Sequence, residues 1–459
     1  MLRKALPAIA ALLLSACAQT GNYERPPAPV PTQWAAPLDD AGVVAANQVH
    51  WRNYFADPRL QALISAALDN NRDLRIATER VREARAQFRL VDADRLPSFN
   101  LAGSASIGST PADLSGNGTV INGQRYDLAS TTVSYELDFW GRLSSLSEAA
   151  RRQFLATAEA RRVTELSLIA EVAATYFVQL EMAAERDSAL ATVGSREYGL
   201  RIVRQAVQTG GAGDFDLQQA RASLESAQGA LESATHQYTV ATNKLQFLLG
   251  GMPAELPDGL DLAHQGLDAA LAPGLPSEVL LLRPDVAAAE QRLRAAHAHV
   301  DAARAAFWPR VTLTSSIGFA SEALLNLFNG SAWSFQPLIS LPLFDGGRLQ
   351  ASRDLAEARK NIAVAEYEKA IQGAFREVSD QLSARAMLAR QLRNAQANEM
   401  AQTRRLDIVL ARHQAGLVNA LEVLDAERNL MAAQQASVQT RRAQLDAAAQ
   451  LYKALGGGA

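Results

Sequence analysis

Polar and apolar positions along the chain follow two rhythms, one of period two and one of helical spacing, and each recurs in a second copy. Phe99, Leu101, Ala105 and Ile107 alternate with Asn100, Ser104 and Ser106, and Val133, Tyr135, Leu137 and Phe139 alternate with Thr132, Ser134, Glu136 and Asp138. Further on, Val311, Leu313, Ile317 and Phe319 alternate with Thr312, Thr314 and Ser316, and Trp333, Phe335, Ile339 and Leu341 with Ser334, Gln336 and Ser340. Four strands of roughly ten residues or slightly more are predicted, long enough for a tilted strand to cross hydrocarbon. Pro337 interrupts the last of them. The connections 109–125 and 320–331 carry Gly116, Asn117, Gly118, Gly123, Asn329 and Gly330 and read as surface loops. Alternation alone also fits the half-buried sheet of a soluble protein.

The helical rhythm is unusually long. A first helix is predicted from about Pro58 to Leu96, with a copy from Pro284 to Trp308, each stopped by the following proline. The stretches 142–208 and 348–414 contain no proline, and 67 residues of helix span roughly 100 Å. Leu166, Ala170, Ala173, Phe177, Leu180 and Ala184 form a coiled-coil seam, as do Ile371, Phe375, Val378 and Leu382. A second row, Ile169, Val172 and Tyr176, lies beside the first, so the helix packs on two neighbours, as in a closed ring. Gly210, Gly211 and Gly213 break the first long helix before a second near Asp214. Gly416 does the same before helix 419–455, which makes two tight helical hairpins.

These matched patterns reflect an internal duplication. Asp73-Leu74, Arg80-Val81-Arg82 and Leu96-Pro97 reappear as Asp285-Val286, Arg292-Leu293-Arg294 and Trp308-Pro309 at an offset of 212. Gly141-Arg142-Leu143, Gly210, the run from Asp216 and Leu249-Gly250 reappear at an offset of 206. The organisation expected is a first repeat over 58–250, a Pro-rich linker over 251–283 and a second repeat over 284–459, side by side in one structure.

Composition narrows the function. With 45 Lys plus Arg against 48 Asp plus Glu, the net charge is −3, and no nucleic-acid partner is expected. Cys17 is the single cysteine, so there is no intrachain disulfide and no cysteine metal cluster. Residues 1–16, with Arg3, Lys4 and the apolar run Ala5–Leu14, read as a cleaved export signal. Leu14-Ser15-Ala16-Cys17 is similar to a bacterial lipobox, which implies a covalent lipid on Cys17; an ordinary signal peptide is the alternative. Residues 17–57, with Pro26, Pro27, Pro29, Pro31 and Pro37, read as an extended tether. No run approaches 18 apolar residues, which argues against a transmembrane helix. His297 and His299 are spaced wrongly for a metal pair on a helix. Asp345-Gly346-Gly347-Arg348 lacks the lysine of a phosphate loop, and no Gly-x-Ser-x-Gly elbow occurs. Neither an enzyme nor a cofactor is expected.

The chain resembles the TolC-like outer-membrane factors, most closely the lipoprotein branch that serves resistance-nodulation-division efflux systems. The resemblance rests on Leu14–Cys17, on Trp51…Phe55-x-Asp57-Pro58-x-Leu60-x-x-Leu63, on Leu281-Leu282-Arg283-Pro284-Asp285-Val286…Ala289-Glu290, and on Gly416…Leu421-Glu422-Val423-Leu424-Asp425-Ala426. It implies a mainly α protein with membrane β-structure: a homotrimer whose 12-stranded β-barrel, four strands per chain, continues into a long α-helical barrel. Four strands cannot close a barrel alone, and open edges cannot face lipid.

The function so implied is a passive exit duct of a tripartite efflux pump in a Gram-negative outer membrane. Its implied partners are a periplasmic adaptor, an inner-membrane transporter and outer-membrane lipid. The implied gate is an acidic ring with Glu422 and Asp425, with Leu421, Arg428 and Asp216 nearby. The adaptor-facing tip carries Gly210, Gly211, His413 and Gly416. Neighbouring carboxylates in such a ring are expected to raise one another's pKa; the same acids also fit a plain helix start. An exit duct for type I protein secretion, or a coiled-coil envelope lipoprotein without a channel, remain the alternatives, and the cargo stays open.

Overall fold

The computed structural model describes residues 23–34, 44–45, 49–114, 116, 119–253, 255–266, 271–272 and 280–457. The export signal, Cys17, Asn117 and Gly118 lie outside these residues. The chain divides into two compact units. One comprises Arg80–Ala158 and Ala288–Glu368 with the N-terminal stretch up to Pro27, and the other Ala28–Glu79, Glu159–Ala287 and Lys369–Ala459.

The first unit is built on one antiparallel sheet in the order β1 (Ser98–Thr110), β2 (Ile121–Leu137), β3 (Arg310–Ser321), β4 (Ser331–Ser340). Strand β2 is 17 residues long, so the connection expected over 109–125 shrinks to 111–120. The reason lies in its register. Phe99 faces Val133, but Ala105 faces Tyr126, because the pairing shifts by one residue opposite Asn100–Ala102. The β2–β3 register shifts at the same place, between Ala129 and Thr131. This bulge inverts the phase of the alternation. Odd positions from Val133 onward and even positions up to Leu128 share one face, and a single-period reading of the sequence stops at the break. Pro337 stays in β4, opposite Leu313; β4 is an edge strand within the protomer, where a missing N–H is tolerated.

The N-terminal segment is not a loose tether. Arg25 donates to both oxygens of Glu290 at 3.1 and 2.9 Å, and the Arg294 guanidinium lies 4.7 Å from the Tyr23 ring. Burial comes first in pushing the Tyr23 hydroxyl up to about 12, ahead of the neighbouring Glu290 charge.

The second unit shows the same departure. Trp34 is buried and stacks on Phe375 at 5.0 Å. Trp51, Tyr54 and Phe55, on and beside α1 (Trp51–Tyr54), are core residues, with Tyr54 stacked on Tyr452 at 4.8 Å. Aromatic side chains supply the apolar area that the prolines around them lack. Asp57, fully buried, caps α2 (Pro58–Asn70) and accepts from Tyr176 Oη at 2.9 Å, Leu260 N at 3.1 Å and Gln265 Nε2 at 2.5 Å. A buried carboxylate with this many donors fixes the chain around it. It ties down the 257–266 part of the linker, which Arg441 also holds through the Gln265 carbonyl at 2.7 Å.

The helix expected from Pro58 to Leu96 is two helices, α2 and α3 (Arg72–Ala93). Asn71 separates them in an extended conformation, its side chain accepting from Leu74 N at 2.9 Å. Asparagine competes with the helix for its own backbone and ends α2 in favour of a new cap. The remaining helices are α4 (Arg142–Gln208), α5 (Asp214–Leu249), α6 (Pro284–Ala305), α7 (Arg348–Gln414) and α8 (Ala420–Ala454). Both long helices have the expected 67 residues. The α4 seam is buried from Leu166 to Phe177, but Ala184 is exposed and Met182, Ala189 and Val193 continue it. A straight helix drifts about 20° per heptad against a strict repeat, which moves the seam to the next row. The one stretch of α4 apolar enough to cross a bilayer is 67% buried, as in a core helix.

Candidate channel site

Register sorts the sheet's side chains into two chemistries. One face carries Phe99, Leu101 and Ile107 of β1, Tyr126, Leu128, Val133, Tyr135 and Leu137 of β2, and their β3 and β4 partners. Those partners include Leu313, Ile317, Phe319, Trp333, Phe335 and Ile339. The opposite face carries mostly Ser, Thr, Asn, Gln and charged side chains, with Leu338 among them. There Ser316 and Ser334 hydroxyls meet at 2.7 Å, and Arg125 pairs with Asp127 at 2.9 Å. Most of the apolar face is left bare by the described residues: Leu101 is 72% and Trp333 80% exposed. A water-soluble sheet does not leave such a face bare.

Strands β1 and β4 are the open edges, so the sheet is an arc that further copies must close. At the end joined to the helices, Trp140 stacks on Trp308 at 4.8 Å and donates from Nε1 to the Pro309 carbonyl at 2.9 Å. An apolar body with a satisfied polar tip suits a membrane–water boundary. Glu136 receives Arg142 at 2.7 Å beside them.

In the other unit, the two hairpin turns are built alike. Gly210 and Gly416 take φ of +77° and +73°, the left-handed cap that glycine adopts without strain. Gly211 N bonds to the Ala206 carbonyl at 2.8 Å and Leu417 N to the Arg412 carbonyl at 2.9 Å. Gly211 has no positive φ, and a Cβ there meets only ordinary contacts, so its conformation does not demand glycine. His413 Nδ1 lies 3.0 Å from the Val418 carbonyl and closes the second turn.

The sequence-derived gate residues separate into two groups. Asp216 caps its helix by accepting from Gly213 N at 3.0 Å, and Glu422 stands in the first turn of α8, where Asn419 caps its N–H at 3.1 Å. Leu421, Asp425 and Arg428 instead line a cleft of about 620 Å³ with Thr192, Arg196 and Gln219. Asp425 is bracketed by Arg405 of α7 and Arg428, both at 2.7 Å, and Asn429 donates to it at 3.0 Å. Hydrogen bonding from Arg405, then the charges of the two arginines, hold its carboxyl below the ordinary carboxylate range. Within one chain the arginines thus act on Asp425 in the sense opposite to the repulsion expected among the carboxylates of a ring.

Arg405 escaped the sequence reading. Its signal is positional: residues 405 and 425 lie 11 before and 9 after Gly416, at similar heights on the two arms of the hairpin. Arg196 of α4 also reaches Glu427 of α8 at 2.6 Å, and Arg442 of α8 pairs with buried Glu181 of α4 at 2.9 Å. Burial raises the Glu181 pKa. Among the described residues no group of three His, Cys, Asp or Glu side chains could hold a metal.

Comparison with known proteins agrees with this geometry. The model of the family described as outer membrane efflux protein matches residues 63–251 and 275–457. The chain is 41% identical over 466 residues to the cation efflux system protein CusC of Escherichia coli O157:H7, covering 99% of this chain and 98% of that protein. It is likewise 41% identical over 460 residues to the toluene efflux pump outer membrane protein TtgF of Pseudomonas putida, covering 97% and 95%. Among solved structures, the open state of the Neisseria gonorrhoeae MtrE outer membrane channel superposes with a TM-score of 0.87 at 36% identity, covering 95% and 97% of the two chains. A crystal structure of CusC gives 0.85 at 39% identity, covering 96% and 100%. The bare apolar face, the open strand edges and these likenesses lead to one conclusion: the chain belongs to the outer membrane efflux protein family, the trimeric outer-membrane channels of tripartite efflux pumps in which a β-barrel continues into a long helical barrel.

Proposed function

We propose that this channel is a passive duct for small solutes, delivered by an inner-membrane transporter through a periplasmic adaptor that meets the hairpin tips around Gly210, Gly211, His413 and Gly416. The observation that carries the reading is the four-stranded arc with one apolar and one polar face. Twelve such strands in a trimer enclose a water-lined pore and present hydrocarbon-compatible side chains to lipid. The relatives' names support a duct that does not choose its cargo. One names a cation and another toluene, at the same 41% identity to this chain. Selection belongs to the pump.

In this reading Leu421, Glu422, Asp425, Arg428 and Asp216 form the periplasmic constriction. The charge there is mixed rather than purely acidic, since each Asp425 arrives with two arginines. Cys17 carries a lipid that anchors the N-terminus, worth about 0.8 kcal/mol per buried CH₂.

Purified protein added to a planar bilayer is expected to give discrete ion-conducting steps; trimers that insert without conducting defeat the duct reading. For the anchor, labelled fatty acid is expected to enter the wild-type protein and not a Cys17→Ser variant. Equal labelling of the two removes the anchor.

A further inference from the structure

The connection between β3 and β4 is a six-residue 3-10 helix, Leu324–Asn329, with the sequence Leu-Leu-Asn-Leu-Phe-Asn. At three residues per turn, side chains i and i+3 eclipse. The helix therefore sorts into three rows: Leu324 with Leu327, Leu325 with Phe328, and Asn326 with Asn329. Two rows are apolar and one is polar.

One ring contact orients these rows. Phe328 meets Phe319 edge to face, with centroids 5.6 Å apart and planes at 65°. Phe319 stands opposite Leu128 on the apolar face of the sheet. The row containing Phe328 is thus on that same side, and Leu325 continues it, 98% exposed. Leu324 and Phe328 are also exposed, whereas Leu327 is buried.

Height follows from strand geometry. From Val311 to Phe319 the strand advances about 27 Å, or about 20 Å along the barrel axis at a typical tilt. Phe319 therefore lies near the upper rim of an apolar band about 25 Å tall. The helices leave the sheet at its opposite end, so this rim is the outer one.

We propose that the 3-10 helix Leu324–Asn329 is an outer-leaflet anchor. Leu325 and Phe328, with Leu324 beside them, enter the acyl chains at the outer boundary of the hydrocarbon, and Asn326 and Asn329 stay with headgroups and water. Acyl chains are the occupant because the exposed row runs on from the lipid-facing surface through Phe319. The inference rests on the outer-membrane channel architecture and adds to it a contact made by a loop rather than by the barrel wall.

The test places a nitroxide spin label through Leu325→Cys in the full-length trimer reconstituted in phospholipid vesicles. Asp113→Cys in the β1–β2 connection gives the solvent reference, and the unsubstituted protein corrects for any label at Cys17. Molecular oxygen concentrates in hydrocarbon and a neutral nickel chelate in water. The label at position 325 is expected to meet oxygen more often than the label at 113, and the chelate at least about tenfold less often, because polar solutes are excluded from hydrocarbon. Chelate access at 325 equal to that at 113 overturns the proposal and makes the helix a solvent-exposed cap. Low access to both reagents also overturns it, because protein then covers the leucine. Both labels sit at exposed positions, so neither outcome depends on a change in the core.

Discussion

The two halves of the duplication share a backbone but not a chemistry, and their hairpins and joints show where they part. The turn bonds of the first hairpin, Gly210 N to Val207 and Gly211 N to Ala206, recur 206 residues later as Gly416 N to His413 and Leu417 N to Arg412. Around the second turn stand Arg405, Asp425 and Arg428; the same offset puts Gly199, Gln219 and Ala222 in the first. The charged triad thus exists in one repeat only.

The joints repeat this contrast. Each repeat docks the residue that precedes α3 or α6 against the end of its last helix. In the first, Asn71 Nδ2 donates to the Leu248 carbonyl at 2.9 Å. In the second, at offsets of 212 and 206, Arg283 donates to the Ala454 carbonyl at 2.6 Å and pairs with Asp285 and Glu377, both at 2.7 Å. A neutral hydrogen bond contributes about 0.5–1.5 kcal/mol and one to a charged group about 1.5–3. Duplication has kept the geometry of the joint, while its strength and its salt sensitivity differ between copies.

The largest effect expected from this difference is at the glycines that end α5 and α8. Gly250 has φ +66° and a Cβ there would lie 2.5 Å from the Asn70 carbonyl oxygen; Gly456 has φ +85° but its nearest neighbour is at 3.7 Å. Gly250→Ala combines backbone strain with a backbone clash and should cost about 2–5 kcal/mol, against about 1–2 for Gly456→Ala. Unfolding of both variants in lipid vesicles compares them; equal losses mean that the joints are closer in build than their glycines indicate.

Next in size is the sheet, where the repeats are expected to behave alike. Val133 of the first repeat and Ile317 of the second stand near mid-height of the apolar face. Lys at either position should cost about 2–4 kcal/mol near the bilayer midplane and impair assembly. Lys at neighbouring Ser134 or Ser316, on the polar face, should be tolerated. Heat-resistant trimer recovered from membranes measures this, and equal yields from all four variants would contradict the assigned faces.

The joint itself comes third. Arg283→Met should cost about 2–3 kcal/mol and lessen the dependence of stability on salt, whereas Asn71→Ala should cost about 1–2 and leave that dependence unchanged. Unfolding midpoints at low and high salt separate the two. A salt response that survives Arg283→Met would place the ionic contribution elsewhere.

The smallest effect is at the tip. With its folded pKa lowered, Asp425 contributes fully above its unfolded value near 3.9, and the contribution is lost as pH falls through the folded value. The part of the channel's cation selectivity that Asp425→Asn removes should therefore be the same at pH 7 and pH 5. Reversal potentials at both values test this; a contribution that fades by pH 5 would signal crowded carboxylates whose mutual repulsion across the trimer outweighs the arginines.

Much of the architecture was legible in the amino-acid order, because periodicity and repetition are properties of the chain itself. Period-two runs placed the four strands, proline-free heptads placed two helices of 67 residues, and constant offsets disclosed the duplication. The candidate site was legible less evenly. Leu421, Asp425 and Arg428 do line one cleft, yet the arginine that turns Asp425 from a free acid into part of a triad lies on the opposite arm of the hairpin. Only folding brings the two arms together.

The bulge in β2 belongs to the same class: the phase of Tyr126 and Leu128 is set by the partner strands, and no local signal shows where the register slips. The N-terminal segment is the third case. Its prolines forbid regular structure, which the sequence states plainly, but Arg25, Trp34 and Trp51 find Glu290, Phe375 and the helical core only in three dimensions. Local order depends on neighbours along the chain. Burial, pairing and charge depend on neighbours in space, and for those the tertiary structure alone decided.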